Sequence, residues 1–255
     1  QIDELALFDE LALELPIIAE CHIGDVRTVR SLLSTDPALA HVSNEQGVSP
    51  LSAACRNGHI ECARLLLESG ANADGNGQKE PMHEAFFNDH LDVVQLLSSY
   101  GANRAWATPG QLETDLFGNA LHPHILAWLA STNDWASPLH HVDVLSEARA
   151  LTLLRAGADI HRKAEGMENA RSPLQLAATH ASSPAGKAIL AAAAPWSPAR
   201  HHLFPLAART HAVQVLWLGY LLNKKYIHAG ESWRDVWCMH LLPKAIRVFS
   251  PEIAY

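Results

Sequence analysis

The residues with the most chemical capacity in this chain are its 16 histidines and four cysteines. His140-His141, His201-His202 and His122-x-His124 would suit a metal if their rings converged. Adjacent helix residues point in different directions, however, and metal sites want ligands on one face, such as an i, i+4 pair. Cys21, Cys55, Cys62 and Cys238 form no Cys-x-x-Cys pair and read as small buried thiols in a reducing compartment. Gly186-Lys187 is followed by Ala188 and lacks the first Gly of a phosphate-binding loop, and Ser49 has no second Gly to build a nucleophile elbow. The expectation is a protein that is not an enzyme, with no catalytic residue, cofactor, metal or small-molecule substrate.

A recurring phrase organises the chain instead. It reads Ser49-Pro50-Leu51-Ser52-Ala53-Ala54, Glu80-Pro81-Met82-His83-Glu84-Ala85, Ser137-Pro138-Leu139-His140-His141 and Ser172-Pro173-Leu174-Gln175-Leu176-Ala177-Ala178. Ser before Pro caps a helix whose first residue needs no amide donor. Leu and the small Ala pair then allow close packing on a neighbouring helix. In the second copy Gly58-His59 ends an inner helix, Ile60 to Glu68 forms an outer one, and Gly70-Ala71-Asn72 turns the chain out of it. The third copy repeats this order with Asp89-His90, Leu91 to Ser99 and Gly101-Ala102-Asn103. Pro50 and Pro81 are 31 residues apart, as are Gly70 and Gly101. Pro16 to Leu33 reads as a first pair, with Cys21 and Cys55 in equivalent inner positions. A fourth copy between Thr108 and Ala130 is degraded, keeping an outer helix over His124 to Leu129. Trp135 to Asp159 gives a fifth copy and Arg171 to Ala194 a sixth, broken at Ser182-Ser183-Pro184.

These phrases, recurring in register, resemble the ankyrin repeat family, in which Thr/Ser-Pro-Leu-His-x-Ala opens a pair of stacked helices. The resemblance covers roughly residues 15–194 and implies an all-α ankyrin-repeat solenoid of about six repeats, two of them degenerate, closed by a C-terminal helical cap. The expected division is residues 1–14 as an acidic N-terminal segment, 15–194 as repeats and 195–255 as a helical extension. Family arrays bind proteins through a concave face of hairpin tips and inner helices. Carried onto this sequence, that face comprises Glu45, Gln46, Val48, Arg56 and Asn57 in the second copy, and Lys79, Phe87 and Asn88 in the third. It continues through Asn133, Asp134, Trp135, Val144 and Leu145 in the fifth, and Glu168, Asn169, Arg171, Thr179 and His180 in the sixth. Phe87 and Trp135 stand out as anchors, and Trp135 serves equally well as packing between repeats. His140 matches the family's repeat histidine, which ties repeat turns together.

After Ala194 the phrase stops. His201 to Leu222 reads as a helix whose apolar run from Ala212 is too short to cross a bilayer, and Ser232-Trp233-Arg234-Asp235 reads as a further helix start. Trp196, Phe204, Trp217, Trp233 and Trp237 are more aromatics than a solvated linker carries, so the tail is expected to dock, with Trp217 and the Val213-Leu216 face against the sixth repeat. Its Trp196-Ser197-Pro198, His202-Leu203-Phe204-Pro205 and Leu242-Pro243 resemble extensions that follow ankyrin repeats in algal proteins. The order of repeats, short helix and Leu-Pro segment also resembles ankyrin proteins with a SOCS-box tail, although the Leu/Cys-rich opening of such a box is not matched.

Charge narrows the partner classes. Residues 196–255 carry seven basic and three acidic side chains, so the tail is +4 and the remainder −12, which sums to the chain's −8. So acidic an array argues against nucleic acid as partner, while the basic tail suits an acidic protein or contact with an anionic membrane surface. The implied function is a protein–protein interaction module acting as scaffold or accessory subunit of a larger assembly. The alternative is a substrate-recruiting adaptor of a ubiquitin ligase, and a further one is a peripheral subunit of a plastid photosynthetic complex. An intracellular location is expected, cytoplasmic or, if Gln1 marks a processed end, organellar.

Overall fold

The computed structural model describes residues 15–75, 80–104, 122–167, 169–226 and 241–242. Every regular element among them is helical: α1 (Pro16–Ile23), α2 (Val26–Thr35), α3 (Pro50–Arg56), α4 (Ile60–Glu68), α5 (Pro81–Phe87), α6 (Leu91–Ser99), α7 (Pro123–Ser131), α8 (Glu147–Arg155), α9 (Pro173–Thr179), α10 (Pro184–Ala193) and α11 (Leu206–Tyr226), with short 3-10 turns at Pro37–His41, Pro138–His140 and Pro198–Leu203. Two compact units divide between Asn133 and Asp134.

In the first unit the phrase works as its chemistry dictates. Ser49 Oγ accepts from the Ser52 amide at 3.1 Å while Ser52 Oγ accepts from the Ser49 amide at 2.8 Å, a reciprocal cap with Pro50 at the first helical position. The inner helices α1, α3 and α5 stack on one another and the outer helices α2, α4 and α6 form the second layer. Ile17, Ile18, Cys21, Leu51, Ala54, Cys55, Leu66, Phe86, Val93 and Leu97 fill a continuous core between them. Cys21, Cys55 and Cys62 are buried there as free thiols, and burial pushes all three above the ordinary thiol range; Cys238 lies outside the described residues.

A histidine ladder sets the spacing between repeats. His59 Nε2 donates to the His22 carbonyl at 3.0 Å, and His90 Nε2 donates to the Arg56 carbonyl at 3.2 Å. Each ring lies flat against the left-handed residue that ends the preceding inner helix, so a Cβ built on Gly24 would meet His59 at 2.6 Å and one on Gly58 would meet His90 at 2.5 Å. The third rung differs. Asp89 stands where the glycines do, at φ 67°, and its carboxylate takes His122 Nδ1 at 2.6 Å and His124 Nε2 at 3.3 Å. His122 precedes α7 as His59 and His90 precede α4 and α6. The degraded fourth copy thus keeps its outer helix in register, with Ile125 and Leu129 in the same core and Trp128 packed against it. Arg104 fastens α7 further: its guanidinium donates to the Leu129 carbonyl at 3.1 Å and Thr132 Oγ1 at 2.6 Å and lies over the Trp128 ring. Trp106 and Phe117 lie outside the described residues.

The second unit keeps the sequence logic with two departures. In the fifth copy the phrase forms only a 3-10 turn, because His140-His141-Val142-Asp143-Val144 supplies weak helix formers and His140 Nδ1 folds back to accept from the Ser137 amide. The break at Ser182-Ser183-Pro184 is a helix start, where Ser183 Oγ accepts from the Gly186 amide at 2.9 Å ahead of α10. Leu139, Val142, Ala150, Leu154, Leu176, Ala177 and Ile189 form this unit's repeat core.

The tail docks here by one side only. The Pro198–Leu203 turn lies against α8 and α10, and Arg155 Nε donates to the His202 carbonyl at 3.0 Å. Trp196, 3% exposed, packs with Ala208, Ala212 and Leu242, and Phe204 joins from the edge. Trp217 does not follow. It is 61% exposed and stacked on Tyr220, with Val213 exposed as well. The cause is geometric: α11 packs through Ala208, Ala212, Val215 and Leu216, so Leu216 faces inward as expected while that register turns Val213 and Trp217 outward. Trp233 and Trp237 lie outside the described residues.

Candidate protein-binding surface

Because α3 and α5 stack side by side, the residues at their C-terminal ends become neighbours although about one repeat apart in sequence. Arg56, Asn57, Phe87 and Asn88 all sit there. Asn57 Nδ2 donates to the Ala53 carbonyl at 2.9 Å and meets His22 Nδ1 at 3.1 Å, so its amide is held by two inner helices. Asn88 Nδ2 donates to the Glu84 carbonyl at 2.8 Å. Phe87 is 50% exposed, its ring set against the edge of buried Phe86 at 5.5 Å and beside His83 at 6.2 Å. A large apolar ring braced on a core ring reaches water at little entropic cost, which is the character of an interface anchor.

Glu84 belongs to this group and sequence reasoning missed it. Its carboxylate pairs with Arg56 Nε at 3.8 Å across α3 and α5. The signal was present, since Glu84 stands in the phrase where Ala53 stands one copy earlier. Glu45 and Gln46 are exposed at the tip of a turn closed by the Gly47 amide on the Asn44 carbonyl, and Val48 is half-buried against the core. Lys79 and Glu168 lie outside the described residues. Asn133 is exposed in the first unit.

The candidates of the second unit separate into used and open groups. Arg171 clasps Asp134 through Nε and Nη2, both at 3.3 Å, and through its backbone amide at 3.2 Å. Burial raises the Asp134 carboxyl, but those Arg171 bonds outweigh it and hold the group below the usual carboxylate range. This pair fastens the fifth copy to the sixth. Trp135 is half-buried, packed on the repeat core with its ring edge-on to His141 at 4.7 Å. Leu145 is 6% exposed within that core and offers a partner no surface. Val144 is half-buried; Asn169, Thr179 and His180 are exposed, with Thr179 Oγ1 donating to the Leu176 carbonyl. His140 is spoken for: Nδ1 accepts from the Ser137 amide and Nε2 donates to the Arg171 carbonyl at 3.0 Å. Burial pushes this imidazole below its ordinary value. Among the described residues, no group of three His, Cys, Asp or Glu side chains is arranged to hold a metal ion, and no helix is long and apolar enough to cross a membrane.

Comparison with known proteins agrees with this architecture. The family model for ankyrin repeats in three copies matches residues 17–104. The chain is 39% identical over 93 residues to the ankyrin repeat and KH domain-containing protein mask of Drosophila melanogaster, a match covering 34% of this chain and 2% of that protein. It is 33% identical over 95 residues to ankyrin repeat and SOCS box protein 11 of Homo sapiens, covering 37% of this chain and 29% of the relative. A probable E3 ubiquitin-protein ligase, XBOS33, of Oryza sativa subsp. japonica is 37% identical over 91 residues, covering 34% of this chain and 17% of the relative. The chain thus spans less than a third of the length of each of these curated relatives. The crystal structure of the human ASB11 ankyrin repeat domain aligns over 72% of this chain and all of that one, at 18% identity and a TM-score of 0.38. Repeat phrase, two-layered helix pairs and family match agree: residues 17–104 of this all-α chain are ankyrin repeats, a fold that implies a protein–protein interaction module.

Proposed function

We propose that this protein is a non-catalytic scaffold or accessory subunit that holds a protein partner on the inner-helix surface of its first unit, with Phe87 as anchor and Arg56, Asn57, Glu84 and Asn88 around it. The observation that carries this reading is Phe87 itself, half exposed yet set edge-on against buried Phe86. Its polar surroundings are already ordered by bonds to the inner helices, so a partner meets a surface that needs little rearrangement. Glu45, Gln46 and Asn133 extend the candidate surface in the first unit, and Asn169, Thr179 and His180 are separate candidates of the second unit. The test is a photo-crosslinking residue at position 87 in the full chain, followed by affinity measurement with whatever protein it captures. Phe87→Ala should cost about 2 kcal/mol or more of that affinity with the fold retained. Unchanged affinity removes Phe87 from the surface.

The second reading is an adaptor of protein degradation. What favours it is that two relatives are named as a SOCS box protein and a probable E3 ubiquitin-protein ligase. Co-purification separates the two: the adaptor reading requires cullin-type partners, whereas a fixed subunit comes down in constant stoichiometry with one assembly.

A further inference from the structure

The charge around Phe87 says what a partner must bring to it. Residues 1–133, the first compact unit, carry 18 acidic side chains against six Lys and Arg. The third copy is the extreme: from Glu80 to Asn103 there are four carboxylates, Glu80, Glu84, Asp89 and Asp92, and no Lys or Arg. Three of these stand near the anchor. Glu80 is exposed at the start of α5 with its carboxylate 3.3 Å from His83 Nδ1, and the His83 ring lies beside Phe87 at 6.2 Å, so carboxylate, imidazole and phenyl follow one another along the helix. Glu84 precedes Phe87 by three residues, which makes the two neighbours on the helix surface. Asp89, two residues beyond Phe87, is exposed while it holds His122 and His124. Arg56 reaches Glu84 from α3 at 3.8 Å with most of its own side chain in water, so solvent and salt leave that pair weak.

An acidic segment approaching this surface is repelled, and a purely apolar one covers the Phe87 ring but strips water from the carboxylates beside it without replacing it. A long cationic side chain answers both needs, because its methylene stem or guanidinium plane lies on the ring while its charged head stays at the carboxylates. A second copy of the chain is the poorer occupant: residues 134–255 carry 13 basic against nine acidic side chains, but two whole chains at −8 each repel one another. We propose that the partner enters this surface with a basic segment, laying an Arg or Lys side chain over the Phe87 ring and beside the carboxylates of Glu80 and Glu84. The proposal rests on the reading of Phe87 as an anchor and adds to it the chemistry of what is anchored.

The experiment pans a phage-displayed library of random peptides on the full chain and removes every clone that also binds the Phe87→Ala variant. The surviving peptides should be enriched in Arg and Lys and depleted in Asp and Glu relative to the unselected library. The strongest of them, labelled with fluorescein, is then followed by anisotropy. Glu80→Gln with Glu84→Gln should weaken its binding about fivefold, and added salt should weaken it as well. Glu80 makes no side-chain bond that caps α5, so the paired variant keeps the parent's circular dichroism and thermal transition. Glu61→Gln with Glu68→Gln makes the same change of charge on the outer helix α4 and should leave the affinity unchanged. Survivors that are neutral or acidic overturn the proposal while Phe87 remains an anchor. Equal losses in the two paired variants, or none in either, overturn it too, since the attraction would then not belong to this surface. Self-association in sedimentation that Phe87→Ala abolishes replaces the basic partner with a second copy. If no peptide depends on Phe87 at all, the anchor reading falls and the proposal falls with it.

Discussion

Replacing Gly58 by Ala tests the histidine ladder directly. Gly58 has φ 71°, a left-handed conformation that costs an L-residue roughly 1–2 kcal/mol. The added Cβ would lie 2.5 Å from His90 Nδ1 and 2.6 Å from Cε1, so the ring must move. Moving it breaks the bond from His90 Nε2 to the Arg56 carbonyl, worth about 0.5–1.5 kcal/mol net. Together these give a cost of about 1.5–3.5 kcal/mol for Gly58→Ala. In a His90→Ala background the ring is already gone, and the same change should cost only the backbone strain of about 1–2 kcal/mol. Urea unfolding of the parent, both single variants and the double variant, followed by far-ultraviolet circular dichroism, yields the coupling as the difference. A coupling near 1 kcal/mol supports the ladder as a device that sets inter-repeat spacing. Equal costs in the two backgrounds would refute it, because the ring would then have moved aside without loss.

The remaining predictions concern the other contacts between repeats. His140 serves its two bonds only when neutral, and burial holds its pKa below the ordinary histidine value of 6.5, so its stabilising contribution is present above that value and is lost as pH falls from it toward the folded-state pKa. The melting temperature of the second unit, followed by amide-resolved thermal denaturation, should fall over that window, and His140→Gln should flatten the dependence while lowering stability throughout. Arg104→Ala removes two charged hydrogen bonds and the stacking on Trp128, contacts worth about 1.5–3 kcal/mol per charged bond. Amides of α7 should therefore exchange about tenfold faster or more in that variant, with α3 and α4 unchanged; equal protection before and after would show that Ile125 and Leu129 alone hold the helix.

Much of the repeat architecture was legible because its signals are local. A Ser with a partner three residues later and a Pro between them satisfies amide donors wherever it occurs, so Ser49 and Ser172 announce α3 and α9 without any knowledge of the fold. The apolar periods of residues 60–68 and 91–99 likewise became α4 and α6 with the boundaries that the flanking turns dictate. Even Ser183-Pro184, which looks like an interruption, obeys the same capping rule.

What the sequence by itself determined about this protein is its helix starts, its turns and the order of its pairs, since each depends on groups within one turn of the chain. Tertiary structure alone decided which of those residues remain available to a partner. Arg171 and Asp134 are 37 residues apart, and only packing turned two candidate contact residues into a clasp between repeats. Leu145 was drawn into the core with Leu139 and Val142, whereas Phe87 was left half exposed on a buried neighbour. Trp217 carries as much apolar surface as Trp196, yet the register set by Ala208 and Ala212 turned it outward while Trp196 was buried. Composition fixes how much apolar surface a chain has to hide, but which side chains are hidden is settled by contacts between elements distant in sequence, and those are formed only when the repeats stack.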